Sequence, residues 1–331
     1  MSQTSTRFEM TWCTPAQAIH AALQYPDEKR YSLTEIMGYT SHAFRLKIGI
    51  PAADVGGPCG YDWPVLLPRM MNVLGYGTKT YGGPTLTPPS AEELTEALEA
   101  VQRSIDRGIP AIAWDLFVAE FGIIYGYDDD QQLLSARDPA KDGTLPYAKL
   151  GRGQVSELFV LTIEPSLERP DRHSLLRGAL KLAIEHARME EINSIPQPGV
   201  YKNGLDAYDA WIQTFKDRTA DPFGNAYCAK CYWDARVYAA RFLRELDRTW
   251  AGDGALEQEI RRLSAQAAGH YEEVEAALRP FAEQFPFPQG GSPNDPEVAE
   301  ASARMLERAR AAEMQGVEAL ERMAAVLEAD G

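Results

Sequence analysis

The run from Gly108 to Pro139, GIPAIAWDLFVAEFGIIYGYDDDQQLLSARDP, constrains this chain more than any other feature. Two apolar segments, Ala111–Asp115 and Phe121–Tyr127, are separated by a brief excursion and followed by an acidic turn at Asp128–Asp130. A third segment, Gln132–Arg137, leads into Asp138 and Pro139. Runs of about 4–8 residues rich in β-branched and aromatic side chains, bounded by Gly, Pro and Asp, read as strands. Three strands in close succession leave room for a sheet and little else.

Helical patterns precede this run. Thr14–Tyr25 keeps Ala16, Ile19, Ala22 and Leu23 at three-and-four spacing, with Pro15 in the first turn where its missing N–H is harmless. Leu33–Gly38 and Trp63–Leu74 read as two further helices. Ser90–Arg107 is a helix with Ser90 as N-cap, Glu93 completing a capping box and Gly108 as the stop. Leu158–Ile163 adds a fourth strand. Helices followed by sheet describe an α+β domain over residues 1–165.

Beyond Pro165 the composition changes and the pattern turns helical. Helices are expected at Arg172–Asn193, Leu205–Asp217, Ala226–Thr249, Ala255–Gln284 and Pro296–Ala329, punctuated by Pro196–Gly199 and Phe285–Pro296. In the fourth, Leu256, Ile260, Leu263, Ala267 and Tyr271 recur every three or four residues, so residues 166–331 are expected to form an all-α bundle domain. The segment Phe285–Asn294 (FPFPQGGSPN) reads as a mobile loop. Two domains suit a chain of 331 residues.

A net charge of −15 disfavours nucleic acid and anionic membrane as partners, because phosphate binding draws on Lys and Arg. No apolar run approaches the roughly 20 residues of a membrane span. The opening MSQTSTRFEMTW has neither a basic nor an apolar leader region, so cytoplasmic residence is expected, with all four cysteines as thiols. Self-association into a homo-oligomer is left open.

Cys13, in Trp12-Cys13-Thr14-Pro15, stands at the head of the first helix. The positive end of a helix dipole favours thiolate, which suits a nucleophile; a small buried residue beneath the helix is the alternative. Cys59 lies in a Gly-rich turn, GGPCGYDW, that is either an anion cradle or a tight connection. Cys228 and Cys231 form a CxxC, but no second pair of ligands lies at zinc spacing, so core packing is expected, with no metal and no cofactor.

The series formed by Cys13 and its helix, Tyr31–Gly38 (YSLTEIMG), Ala43-Phe44-Arg45, Gly108–Trp114, Phe121–Asp130 and Ser135–Pro139 resembles the N-terminal domain of the butirosin biosynthesis protein H family. Those are papain-like proteins akin to bacteriocin-leader cysteine peptidases. The resemblance spans roughly residues 10–165, and the helical half resembles the tail domain found behind such modules. It implies a papain-like fold, Cys13 as nucleophile and Asp138 as the carboxylate that orients a base. The family's catalytic His falls at or next to Glu120, and no His occurs between His42 and His173. A carboxylate, ordinarily titrating near ~4.3, is a weak base and disfavours a neighbouring thiolate.

His42, on the segment Tyr39–Arg45 that resembles the family's pocket-lining loop, is the candidate substitute base; an ordinary half-exposed histidine is the alternative. Glu120 is either a strand-edge carboxylate, solvated or paired with Arg45 or Arg137, or a group that recognises an amine or guanidinium. Trp12, Tyr39, Phe44, Trp114 and Tyr125 are expected to line the pocket with Arg45. Two functions follow from the resemblance. One is a cysteine-dependent acyltransferase or amidohydrolase acting on a small molecule, a peptide-like substrate or a carrier-protein-bound acyl group. The other is a degenerate relative that binds a small cationic or peptide-like ligand.

Overall fold

In the computed structural model, which describes residues 9–25, 31–83, 85–164, 170–188 and 200–329, the helices are α1 (Thr14–Ala22), α2 (Leu33–Tyr39), α3 (Trp63–Val73), α4 (Ala91–Asp106), α5 (Arg172–Ala187), α6 (Gly204–Asp217), α7 (Pro222–Thr249), α8 (Ala255–Gln284) and α9 (Pro296–Ala329). The strands are β1 (Lys47–Gly49), β2 (Thr78–Gly82), β3 (Ala111–Trp114), β4 (Phe121–Asp128), β5 (Leu133–Arg137), β6 (Asp142–Pro146), β7 (Phe159–Ile163) and β8 (Tyr201–Asn203). The fold is mixed helix and sheet, compatible with the α+β class. Pro196–Gly199 and the end of the helix expected to reach Asn193 lie outside the described residues. Among the described residues, no helix is long and apolar enough to cross a membrane.

The chain divides into two compact units: the described residues of Met1–Ile36 with Asp62–Pro170, and those of Met37–Tyr61 with Asp171–Gly331. The second break lies close to the composition change near residue 165. The excursion Met37–Tyr61, which groups with the helical half, leaves no trace in composition.

The first unit holds a six-stranded antiparallel sheet in the order β2-β7-β3-β4-β5-β6. Its central strands are covered on both faces, which is why they read as continuous apolar runs. Alternation sorts their side chains. Ala111, Ala113, Ile124 and Val160 meet Ala97 and Val101 of α4. On the other face Trp114, Phe121 and Phe159 close around Trp63 of α3, with ring centroids 4.8, 5.1 and 5.4 Å from it. The small residues of α1, buried along its whole length, let that helix lie against β3 and β4. α4 begins on the expected capping box: the Glu93 amide donates to Ser90 Oγ (3.2 Å) and the Ser90 amide to Glu93 Oε2 (2.7 Å).

In the second unit α8 lies against both α7 and α9, and α5 and α6 pack on α9. The core is aromatic, with Trp211 and Phe215 against Phe281. A charged group is sealed into it. Arg236 of α7, 0 % exposed, grips Glu313 of α9 through Nε (2.9 Å) and Nη2 (2.5 Å), while its Nη1 donates to the carbonyls of Ala43 (3.2 Å) and Arg45 (2.7 Å). Tyr208 of α6 donates to the same carboxylate at 2.6 Å. One planar guanidinium therefore ties two helices and the 43–45 segment together, a task that suits its fixed fork of donors. The paired strands β1 and β8 continue that segment.

Removing one partner of such a pair leaves an uncompensated buried charge. Arg236→Met is expected to lower stability by about 3–5 kcal/mol, and Arg236→Met with Glu313→Leu by less than Arg236→Met alone. Urea unfolding of the three proteins measures both; a loss of under about 1 kcal/mol in the single variant contradicts this reading.

Candidate functional site

The site is built from the end of β3, the start of β4 and the head of α1, all in the sheet-bearing unit. Cys13 is the N-cap residue of α1 and is half-buried. Its amide donates to Thr11 Oγ1 (3.1 Å), its carbonyl accepts from the Gln17 amide (3.0 Å), and the Thr11 amide donates to Gln17 Oε1 (3.1 Å). Side chains thus close the chain over the first turn of the helix and fix the cysteine main chain.

Glu120 reaches the same helix end. Thr14 Oγ1 donates to Glu120 Oε2 at 2.5 Å and accepts from the Phe121 amide at 3.3 Å. The carboxylate therefore docks one residue from Cys13, at the end of α1 where the helix dipole favours negative charge. Thr14 was not singled out from sequence, because a hydroxyl at a first helical position carries no pattern that distinguishes a tertiary hydrogen bond.

Asp138 sets the turn that presents Glu120. It is 2 % exposed, and its Oδ2 accepts from the amides of Phe117 (2.8 Å) and Val118 (2.9 Å). Oδ1 accepts from the amides of Ala140 (2.8 Å) and Lys141 (3.1 Å). A carboxylate offers about four acceptor positions, and main-chain amides take them all. The role implied by the resemblance, orienting a catalytic imidazole, differs from what this carboxylate does here: it orients a loop. Gly122 allows the close approach, since a Cβ there would lie 2.4 Å from the Arg137 carbonyl oxygen and 2.8 Å from Asp138 Cβ. The turn is closed by the Asp115 amide donating to the Glu120 carbonyl (3.0 Å), with Asp115 in the left-handed region at φ 54°.

The expected pocket residues fall in both units. Trp12 is 36 % exposed beside Cys13. Trp114 is buried in the aromatic core with Trp63 and Phe121. Tyr125 donates to Asp142 Oδ1 (2.5 Å); burial, reinforced by that carboxylate, pushes its phenol up to about 12, so it stays a donor tied to β6. Tyr39, His42, Phe44 and Arg45 belong to the helical unit. Tyr39 and Phe44 pack on Phe242, and Phe44 also on Tyr271, because the 3₁₀ turn at His42–Phe44 is part of that unit's core. Arg45 stacks over the Tyr61 ring at 4.6 Å. Both ring nitrogens of His42 are engaged, Nδ1 with Thr40 Oγ1 (2.7 Å) and Nε2 with Tyr61 Oη (3.3 Å).

The other cysteines are held structurally. The Gly56, Gly57, Gly60 and Tyr61 amides around Cys59 are spent on Asp54, Gly57 and Cys59 of the same loop, so the turn is a connection and not an anion cradle. Cys228 is fully buried, donates to the Asp54 carbonyl (3.3 Å), and burial pushes its thiol up. None of the four cysteines is in a disulfide, and among the described residues no group of three His, Cys, Asp or Glu side chains is placed to hold a metal.

Asp138→Ala should leave four amides without their acceptor and cost about 3 kcal/mol or more. Asp138→Asn should cost less than Asp138→Ala, since its carbonyl oxygen still serves two amides while its NH₂ faces two donors. Chemical denaturation, with hydrogen exchange at residues 117–118 and 140–141, checks the order; equal stability of all three proteins contradicts it.

No protein-family model matches the chain, and no curated protein matches it, so the resemblance rests on the residues quoted above.

Proposed function

We propose that the sheet-bearing unit is a papain-like domain of the butirosin biosynthesis protein H type in which the catalytic base has been exchanged for Glu120, and that it binds a small cationic or peptide-like ligand at the head of α1. The observation that carries this reading is the Thr14–Glu120 hydrogen bond, taken with an Asp138 whose acceptor positions are all occupied by amides. Base catalysis by this family's scheme needs an imidazole in hydrogen-bond reach of both the thiol and an orienting carboxylate. Here the position of the imidazole holds a carboxylate, and the orienting carboxylate is committed elsewhere. An ammonium or guanidinium group suits a half-buried carboxylate with, beside Cys13, the exposed side chain of Trp12, which can take a cation or an apolar stem.

A second reading, acyl transfer or amide hydrolysis through a Cys13 thioester, is favoured by one observation. A half-buried cysteine outside any disulfide still occupies the N-cap position of α1. In that reading a small-molecule or carrier-bound acyl group loads the sulfur, and an amine or water removes it.

Calorimetric titration with agmatine, spermidine and arginine amide, against the wild type and Glu120→Gln, separates the two. The binding reading expects affinity for at least one of these cations to fall about tenfold or more in the variant, the worth of a charge-assisted hydrogen bond. Unchanged affinities, together with an acyl adduct on Cys13 by mass spectrometry after incubation with an acyl thioester, would replace it with the second reading.

A further inference from the structure

Along α7, Arg241, Arg244 and Arg248 fall at i, i+3 and i+7, which sets all three on one face of the helix. That face borders a groove of about 440 Å³, to which α8 contributes Glu272, Glu275 and Arg279. The chain carries 48 acidic side chains against 33 basic ones, so a groove in which arginine outnumbers carboxylate reverses its general charge.

Two of the four arginines are committed. Arg244 donates Nε and Nη2 to the two oxygens of Glu272 at 2.6 and 2.8 Å, the bidentate fork that matches a carboxylate. Arg279 is ion-paired with Glu275. Arg241 and Arg248 are left over. Both are exposed, and among the described residues neither makes an ion pair or a hydrogen bond. The guanidinium carbon of Arg241 lies 5.5 Å from the centroid of the Tyr238 ring. Glu245 stands between the two on the same helix without pairing to either. The negative end of the helix dipole favours a cation at Arg248, in the last turn, but not at Arg241 two turns earlier. Like charges at this spacing repel each other, so helix stability does not explain the arrangement.

We propose that this groove binds a small anion carrying two or more phosphate groups, with Arg241 and Arg248 each taking one end. The two residues are about 10 Å apart along the helix axis, a span that suits a linear oligophosphate better than a single phosphate. Guanidinium forks take phosphate oxygens two at a time, and unpaired ones do so without first giving up a carboxylate. The groove has the size of a small-ligand site, for which about 300–1,000 Å³ is usual. A net charge of −15 repels nucleic acid at long range and confines the attraction to a ligand short enough to stay in the groove.

Calorimetric titration of the full chain with sodium tripolyphosphate and with orthophosphate, in low-salt buffer, tests this. Tripolyphosphate should bind roughly tenfold tighter than orthophosphate. Arg241→Gln and Arg248→Gln should each weaken tripolyphosphate binding roughly fivefold. Arg304→Gln, at an exposed position of α9 outside the groove, should leave it unchanged. Glu272→Gln, which releases Arg244 to the ligand, should tighten it. Tripolyphosphate that does not bind at about 1 mM overturns the proposal. So does tripolyphosphate that binds no better than orthophosphate, or whose affinity falls as far in Arg304→Gln as in the groove variants. If either groove arginine variant unfolds, an unchanged affinity in Glu272→Gln overturns it as well.

Discussion

Four main-chain amides converge on the carboxylate of Asp138, and the arrangement of the candidate site follows from that grip. The amides of Phe117 and Val118 belong to the turn between β3 and β4, so fixing them fixes the path of the chain into Glu120. Glu120 in turn meets Thr14, and Thr14 is the residue after Cys13. A single buried carboxylate thus sets the relation between strand, turn and helix head. Gly122 is the steric condition for it, because any side chain there collides with Asp138.

The role proposed for this arrangement is recognition of a cation. A carboxylate hydrogen-bonded at the positive end of a helix is a fitting partner for a cation, the role proposed for Glu120. The hydroxyl of Thr14 donates to one of its oxygens and fixes its place beside Cys13. The helical unit answers a different physical problem, sealing a guanidinium in an aromatic core. It does so by giving Arg236 a bidentate carboxylate and two carbonyls.

Much of this was legible in the residues. The capping box at Ser90 and Glu93, the stop at Gly108 and the short apolar runs of β3, β4, β5 and β7 located the centre of the sheet. The long helices Ala255–Gln284 and Pro296–Ala329 were read end to end. β2 and β6 were missed because their sequences, TKTYG and DGTLP, are polar; they flank the central strands and are only partly buried. β1 and β8 are three residues each, too short to show a period. The segment Tyr39–Arg45 was read as pocket lining because its aromatic residues look alike whether they face a ligand or a core. Only the position of Phe242 and Tyr271 decides between the two. Phe285–Asn294 was read as a mobile loop on its Pro and Gly content, yet Phe285 stacks on Phe215 and Asn294 donates to the Ala220 carbonyl. The saturation of Asp138 was not legible at all: its donors are backbone groups, and backbone groups leave no mark on a sequence.

The central proposal is that Glu120, hydrogen-bonded at the head of α1, recognises a cation and does not serve as a base toward Cys13. The pH profile of its alkylation by iodoacetamide, followed by mass spectrometry with Cys59, Cys228 and Cys231 as internal references, tests this most directly. The account predicts that Cys13 reacts near neutral pH no faster than a cysteine in an unstructured peptide, with a rate that keeps climbing as the solution becomes alkaline. Alkylation far faster than that reference, persisting down to about pH 5, would contradict it.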